Sequence, residues 1–453
     1  MDESLPGPSP FDLPNIRGFI AFRLFFNARF YYPVFTILFL DFGLSLSQFA
    51  MLNTAWALAI VGLEVPSGAL ADLIGRRRLL IASAWLMILE MGLLLLAPRE
   101  HPDLLFAVLL GNRLISGAAE AAASGADEAL AYDSLKVHGL TDHWSKVLEV
   151  QMRLQSLGYV AVMILGAAVY DPLFMGRVLR WLGGSGEVTQ GDTLKLPVIL
   201  TLIMGLATLA AAMKMREVRR EDYPSCSWSE GCMPALVGAF RVTFTAGRWI
   251  LATPFALVTI LTGLMFDHVI RMVITLSSQY YRIIGIPEAA FGIIGSGIAI
   301  LGVCVPRLAR MLAERRSPRF NAILMFAITL LGLGGMIPVM PWVGLLPVVL
   351  LFCVMFMMNL FISQYLNQIT ESHQRATVLS FKGLSYNLAY GAIGLLYSLL
   401  IAVLKGRGGD VLTEAAVGRQ DLAFVASLMW FPAYFCAGFA AVALFARKRL
   451  KDS

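Results

Sequence analysis

Arg113, Glu120, Asp127 and Ser134 recur at intervals of seven residues inside an otherwise apolar stretch. At 3.6 residues per turn, that spacing puts all four nearly on one face of a helix. The residues between them are mostly alanine, glycine and serine, small enough for close helix packing. A charge at the centre of a membrane helix costs ~2.5–3.5 kcal/mol, so a charged stripe there implies a wet cavity or partner charges. Burial and a neighbouring guanidinium pull a carboxylate's proton affinity in opposite directions, so a rearrangement between the two can load and release a proton. Glu120 and Asp127 are therefore candidates for proton transfer with Arg113; a static ion pair with Arg113 is the other reading. Glu90, deep in the preceding apolar run, is a further proton-carrying candidate, whereas Glu64 beside Pro66 reads as structural. His268 titrates near neutral pH and joins the proton-carrying set, with a hydrogen-bonded spectator as its alternative. Asn27, Arg29, Asp267, Arg271, Asn359 and Gln364 are polar residues in other apolar runs and are candidates for touching a solute. Asp267 and Arg271 are four apart and can also pair along their own helix. Arg29 and Arg113 in one cavity would favour an anionic group on the solute.

The elements that must hold these residues are membrane spans. Hydrophobic residues make up 58% of the 453 and charged residues 15%, against roughly 25% charged in a soluble protein. Twelve apolar runs are long enough to span, near 18–41, 46–68, 79–97, 103–131, 148–170, 195–213, 249–275, 288–309, 320–340, 342–367, 377–403 and 421–446. The net charge of +6 sits in short clusters between these runs, which suits anionic lipid and loop charge bias rather than nucleic acid. Residues 1–14 are polar and proline-rich, and no cleavable signal peptide is expected. The five cysteines are scattered; Cys226 and Cys232 form the one close pair, at a spacing that matches no common zinc pattern. No metal site and no cofactor are expected, and no phosphate-cradling loop or nucleophile-base set is visible.

Lys and Arg fall mainly in the even-numbered connections and the C-terminal tail, so both termini are expected in the cytoplasm. Residues 1–17 form a cytoplasmic tail, 18–213 a first six-helix bundle, 214–248 a cytoplasmic connection with an amphipathic piece at Met233–Phe244, 249–446 a second bundle, and 447–453 a basic tail. The two halves repeat at an offset of roughly 240 residues, with Gly43 opposite Gly285 and Pro66 opposite Pro306. Such repeats bracket a solute site near the bilayer midplane.

The sharpest motif is Gly68-Ala-Leu-Ala-Asp72-Leu-Ile-Gly75-Arg76-Arg77-Arg78 between the second and third runs. Gly75 can take the positive φ needed for a reversal. The motif resembles the helix 2–3 loop of the major facilitator superfamily, matching at Gly68, Asp72, Gly75, Arg76 and Arg77; Leu73 replaces the usual basic residue. Arg113 followed by Gly117 also resembles an Arg-x-x-x-Gly feature of that family's fourth helix, where the arginine is tied to proton transfer. The resemblance implies an all-α integral membrane fold, with twelve transmembrane helices in two pseudo-symmetric six-helix bundles. It also implies a gating cluster in which Asp133 pairs with the loop arginines. The Gly-Pro of drug–proton antiporters is missing from the fifth run, Leu157 to Ala168.

The reading is a monomeric, non-enzymatic secondary transporter of a small organic solute, in a bacterial inner membrane, working by alternating access and driven by protons, with efflux favoured over uptake. A proton-independent facilitator or a translocator of amphiphiles is the first alternative. A membrane enzyme or a channel is the second.

Overall fold

The computed structural model describes residues 9–218, 228–370, 375–406 and 414–449, and every regular element among them is helical. In chain order these are α1 Pro14–Phe26, α2 Phe35–Phe42, α3 Leu46–Ile74, α4 Arg76–Leu95, α5 Pro102–Ala123, α6 Ala126–Val137, α7 Trp144–Tyr170, α8 Pro172–Trp181, α9 Gln190–Thr193 and α10 Leu196–Lys214. They continue as α11 Trp228–Ala252, α12 Pro254–Thr275, α13 Ser277–Ile283, α14 Glu288–Arg315, α15 Pro318–Met336, α16 Leu345–Ile369, α17 Arg375–Gly406, α18 Glu414–Leu428 and α19 Trp430–Arg449. Several begin with proline at a first-turn position, where the missing N–H is no loss. Asp171 and Ser317 cap α8 and α15 by accepting from the backbone N–H groups of Phe174 and Phe320.

Eleven helical stretches among the described residues are long and apolar enough to cross a membrane. The first of the twelve expected runs, 18–41, is the difference: it is two shorter helices, α1 and α2. Pro33 is the physical reason. It has no N–H to donate, so an α-helix cannot run unbroken from α1 into α2, and residues 27–31 lie outside any helix before a short 3-10 turn at Tyr32–Val34. The fourth run is also interrupted. Gly125 has φ +75° and separates α5 from α6, so the seven-residue stripe lies on two helices, with Arg113 and Glu120 on α5 and Asp127 and Ser134 on α6.

The chain divides into two compact units. The first comprises residues up to Tyr32, Ala59–Pro98 and Asp103–Phe240; the second comprises Pro33–Leu58, Arg99–Pro102 and Arg241 onward. This division differs from two consecutive bundles at residues 33–58, because α2 packs on α13, and the first turns of α3 bond to α17 through Ser47–Ser398 and Thr54–Gly391. In the first unit α10 packs on α1, α4 and α7, and α6 packs on α1 and α4. In the second unit α12 is central, with α16, α17 and α19 around it. Two matched features of the repeat recur in the backbone. Gly43 and Gly285 both have positive φ, at 119° and 77°, and Pro66 and Pro306 both lie inside long helices, α3 and α14.

The Asp72 side chain, Cys226, the Cys232 side chain, half of the side chains of the Met233–Phe244 segment and residues 450–453 lie outside the described residues.

Candidate functional site

In the first unit, cations of α1, α4 and the segment after α1 meet carboxylates of α4, α5 and α6 in three tiers. The deepest is centred on Arg29, in the non-helical stretch after α1. Arg29 is 1% exposed, and its Nη1 donates to Glu90 Oε2 at 2.6 Å. Its Nη2 lies 3.8 Å from Glu120 Oε1 and makes no hydrogen bond. Tyr31 donates its hydroxyl to the second Glu90 oxygen at 3.3 Å, and the Asn112 side chain donates to the Glu90 backbone carbonyl at 2.6 Å. The Glu90 side chain is 1% exposed, whereas that of Glu120 is 34% exposed. Arg113 is buried close by and interacts electrostatically with Glu120, Tyr31 and Tyr32.

The break after α1 is what turns Arg29 inward. Asn27 closes α1, donating its side chain to the Arg23 carbonyl at 2.8 Å, and Arg29 Nε donates to the Phe26 carbonyl at 3.3 Å. A cation at a helix C-terminus also suits the helix dipole. Non-helical backbone at membrane depth needs internal partners. Thr201 of α10 supplies one, accepting from the Phe30 N–H at 3.0 Å. Gly166 of α7 lets the segment pack closely, because a Cβ there would overlap the Phe30 carbonyl.

The second tier joins Arg23 of α1 to Asp127 of α6 through a fork, with Nη2 3.1 Å from Oδ1, and to Glu128 at 2.7 Å. Asp127 and Glu128 stand in the first turn of α6, where negative charge suits the helix dipole. The third tier lies at the α3–α4 turn. Arg76 Nη1 donates to Asp133 Oδ2 at 2.5 Å, and Arg77 donates to the Met213 carbonyl at 2.9 Å. Gly75 has φ +97° and precedes α4. Glu217, just past α10, accepts from the Arg76 and Arg77 backbone N–H groups at 3.1 and 3.0 Å, capping α4. Gly68 is exposed, with nothing within 4 Å of where a Cβ would stand.

The remaining candidates belong to the second unit. Asp267 and Arg271 pair along α12, and Arg271 also donates to Asn387 of α17 at 2.8 Å. His268 is buried with both ring nitrogens engaged. Nδ1 lies 2.5 Å from the Leu264 carbonyl, and Nε2 lies 3.0 Å from the Tyr434 hydroxyl. A carbonyl can only accept, so Nδ1 carries a proton, and both ring nitrogens have a partner. Asn359 is exposed on α16 and Gln364 is half-buried on the same helix. Among the described residues no three metal-ligating side chains cluster.

A sequence profile of the Major Facilitator Superfamily matches residues 18–394. The chain belongs to the Major Facilitator Superfamily. Membership makes it a multi-pass membrane transporter and not an enzyme. Among solved structures, a bacterial homologue of the human lysosomal transporter Spinster, inward-facing and unoccupied, aligns with a TM-score of 0.71 at 16% identity over 99% of both chains. The nucleoside transporter NupG aligns with a TM-score of 0.64 at 15% identity, over 95% of this chain and 98% of that one. A D-xylose–proton symporter aligns at 0.61 and 14% identity, over 96% of each. At these identities the likeness is one of fold. Among curated proteins, none matches the chain significantly in sequence.

Sequence reasoning missed several members of the site. Tyr31 is one of several aromatic residues near 25–32, and nothing in its spacing marks it as the one that bonds Glu90. Glu217 carries no signal, being one acid in a polar connection. Lys382 did carry one, as a lone cation within the run 377–403.

Proposed function

We propose that this transporter couples the movement of a small organic solute to protons through Arg29 and its two carboxylates. The observation that carries this reading is the unequal sharing of one buried guanidinium: 2.6 Å to the sealed Glu90 and 3.8 Å to the accessible Glu120. The groups facing this pair are Arg29, Arg113, Tyr31, Tyr32 and, more distantly, Arg23. Glu90 acts as the permanent counter-ion. Glu120 takes and gives the proton. When Glu120 is charged it draws on the unbonded Nη2 of Arg29; when it is protonated that hold is released, and the segment 27–31 is freed to shift. That segment is held by turn bonds, such as Ala28 N–H to the Phe25 carbonyl and Tyr32 N–H to the Arg29 carbonyl, rather than by a continuous helical ladder, so a shift there breaks fewer bonds than bending a helix would. The Arg76–Asp133 pair and the Glu217 cap act as a gate at the cytoplasmic end, in keeping with the positive charge of that loop. Asp72 completes that gate in the resemblance, and both termini lie in the cytoplasm.

The test uses proteoliposomes loaded with a pH-sensitive dye and exposed to pools of organic solutes. At least one pool should change the internal pH with wild type and leave it unchanged with Glu120→Gln. Solute that enters wild-type vesicles, measured by mass spectrometry, with no pH change would identify a proton-independent facilitator instead.

A further inference from the structure

We propose that the second unit contains a subsite for an anionic oxygen group, a carboxylate or a phosphate, formed by Lys382, Tyr386 and Arg271. It deepens the transporter reading, since the occupant would be the anionic end of the solute. Two side-chain stripes build it. Gly263, Asp267, Arg271 and Thr275 lie four apart on α12, and Lys382, Tyr386 and Tyr390 lie four apart on α17. Residues four apart share a helix face. The stripes meet along their length. Thr275 and Tyr390 hydroxyls are 2.9 Å apart, Arg271 stacks over the Tyr390 ring at 5.1 Å, and Arg271 donates to Asn387. Lower on the same faces, the Tyr386 hydroxyl rests against Gly263, where a Cβ would displace it.

Two features of this junction are costly as they stand. Lys382 has no carboxylate within ion-pair distance among the described residues. Its ammonium lies 5.5 Å from the centre of the Tyr386 ring, and Asp267, the acid whose field reaches it, is already committed to Arg271. The cluster thus carries two cations and one anion inside a membrane span, an unbalanced positive charge that would otherwise be selected out. The second feature is the Tyr386 hydroxyl. The residue is 4% exposed, and its oxygen is fully hidden without a hydrogen-bond partner. A buried hydroxyl left unbonded is the exception in folded proteins.

One ligand chemistry answers both features. An anionic oxygen would neutralise Lys382 and accept from Tyr386, and the charge of Arg271, whose field reaches both groups, would favour it further. A neutral hydroxyl would satisfy the tyrosine and leave the charge; a cation would be repelled by both basic residues. Trp56 stands edge-on to Tyr390, with ring centres 6.4 Å apart, so an aromatic body next to the anion has rings to pack on.

The experiment is calorimetric titration of the full-length protein in phosphatidylcholine nanodiscs. The probes are phenyl phosphate and phenylacetate, with phenylacetamide and phenethylamine as the neutral and cationic counterparts. At least one anion should bind and both counterparts should not. Lys382→Gln and Tyr386→Phe should each weaken the anion by about tenfold or more, the usual loss for one hydrogen bond to a charged group. Tyr386→Phe should leave the unfolding temperature unchanged or raise it, because it deletes an unbonded hydroxyl and keeps the ring. Repeating the titration in discs containing phosphatidylglycerol separates the sources. Competition by the lipid assigns the subsite to a lipid headgroup, and undiminished binding assigns it to a soluble anion; either outcome upholds it. Failure of folded wild type to bind either anion overturns the proposal, and so does equal anion binding by wild type and both variants. The titration reads binding alone, so its outcome is independent of whether protons move.

Discussion

The two units handle charge inside the membrane in different ways. In the first, the buried and half-buried ion pairs cross between elements: Arg29 to α4 and α5, Arg23 to α6, and Arg76 to α6. In the second, Arg282 of α13 makes a comparable bridge to Asp41 of α2 and Glu288 of α14, but on α12 the Asp267–Arg271 pair stays within one helix, and Lys382 of α17 is left over. A pair that bridges helices fixes their relative position and responds when one partner changes charge. A pair along one helix fixes only itself. The difference between the α12 pair and the Arg29 cluster is what our proposal of coupling in the first unit and recognition in the second rests on.

The largest effect that would break this contrast is on stability. Glu90→Gln removes the hydrogen-bonded partner of a fully buried guanidinium, and the expected loss is about 3–5 kcal/mol, read as a fall in unfolding temperature in detergent. Glu120→Gln should leave that temperature within about 1 kcal/mol of wild type, since the longer contact is part-exposed. Equal losses in the two variants would remove the distinction between counter-ion and carrier. Gly166→Ala comes next. Its methyl group meets the Phe30 carbonyl, and overpacking of this kind costs about 1–3 kcal/mol. The same substitution should lower transport by displacing Arg29, and unchanged transport would show that the position of the 27–31 segment is immaterial. Asp267→Asn should cost about 1–3 kcal/mol, the range for one buried charged hydrogen bond. Arg271 keeps Asn387, so the loss should be smaller than at Glu90. The smallest expected change is Glu217→Ala, worth about 1 kcal/mol for a lost cap on α4. Its informative readout is cysteine labelling near the α3–α4 turn, which should increase as the gate loosens; unchanged labelling would reduce Glu217 to an anchor.

Much of the architecture was legible because length and hydropathy are local properties. Apolar runs of about twenty residues report spans directly, and Gly75 announced a reversal that is present with φ +97°. The stripe on the fourth run was legible as a set of charges but not as a set of contacts. Periodicity gives a face, and partners come from other helices. Arg29 reaches Glu90 and Glu120 only because the first run breaks at 27–31, and that break depends on Pro33 upstream of α2 together with the Thr201 and Gly166 contacts from distant sequence. Pro33 was readable as a helix stop; the contacts that hold the opened segment were not. Gly125 hid a second break in the same way, since a glycine among alanines also suits a continuous helix. Lys382 was legible as a misplaced charge, but its significance depends on Tyr386 and Gly263, which only packing brings beside it.

The central claim is that Glu120, and not Glu90, exchanges the proton beside Arg29. Infrared difference spectroscopy of the protein in lipid, recorded between high and low pH, tests it without knowledge of the solute. A protonated-carboxyl band should grow on acidification in wild type, persist in Glu90→Gln and vanish in Glu120→Gln. A band that survives Glu120→Gln unchanged would contradict the account.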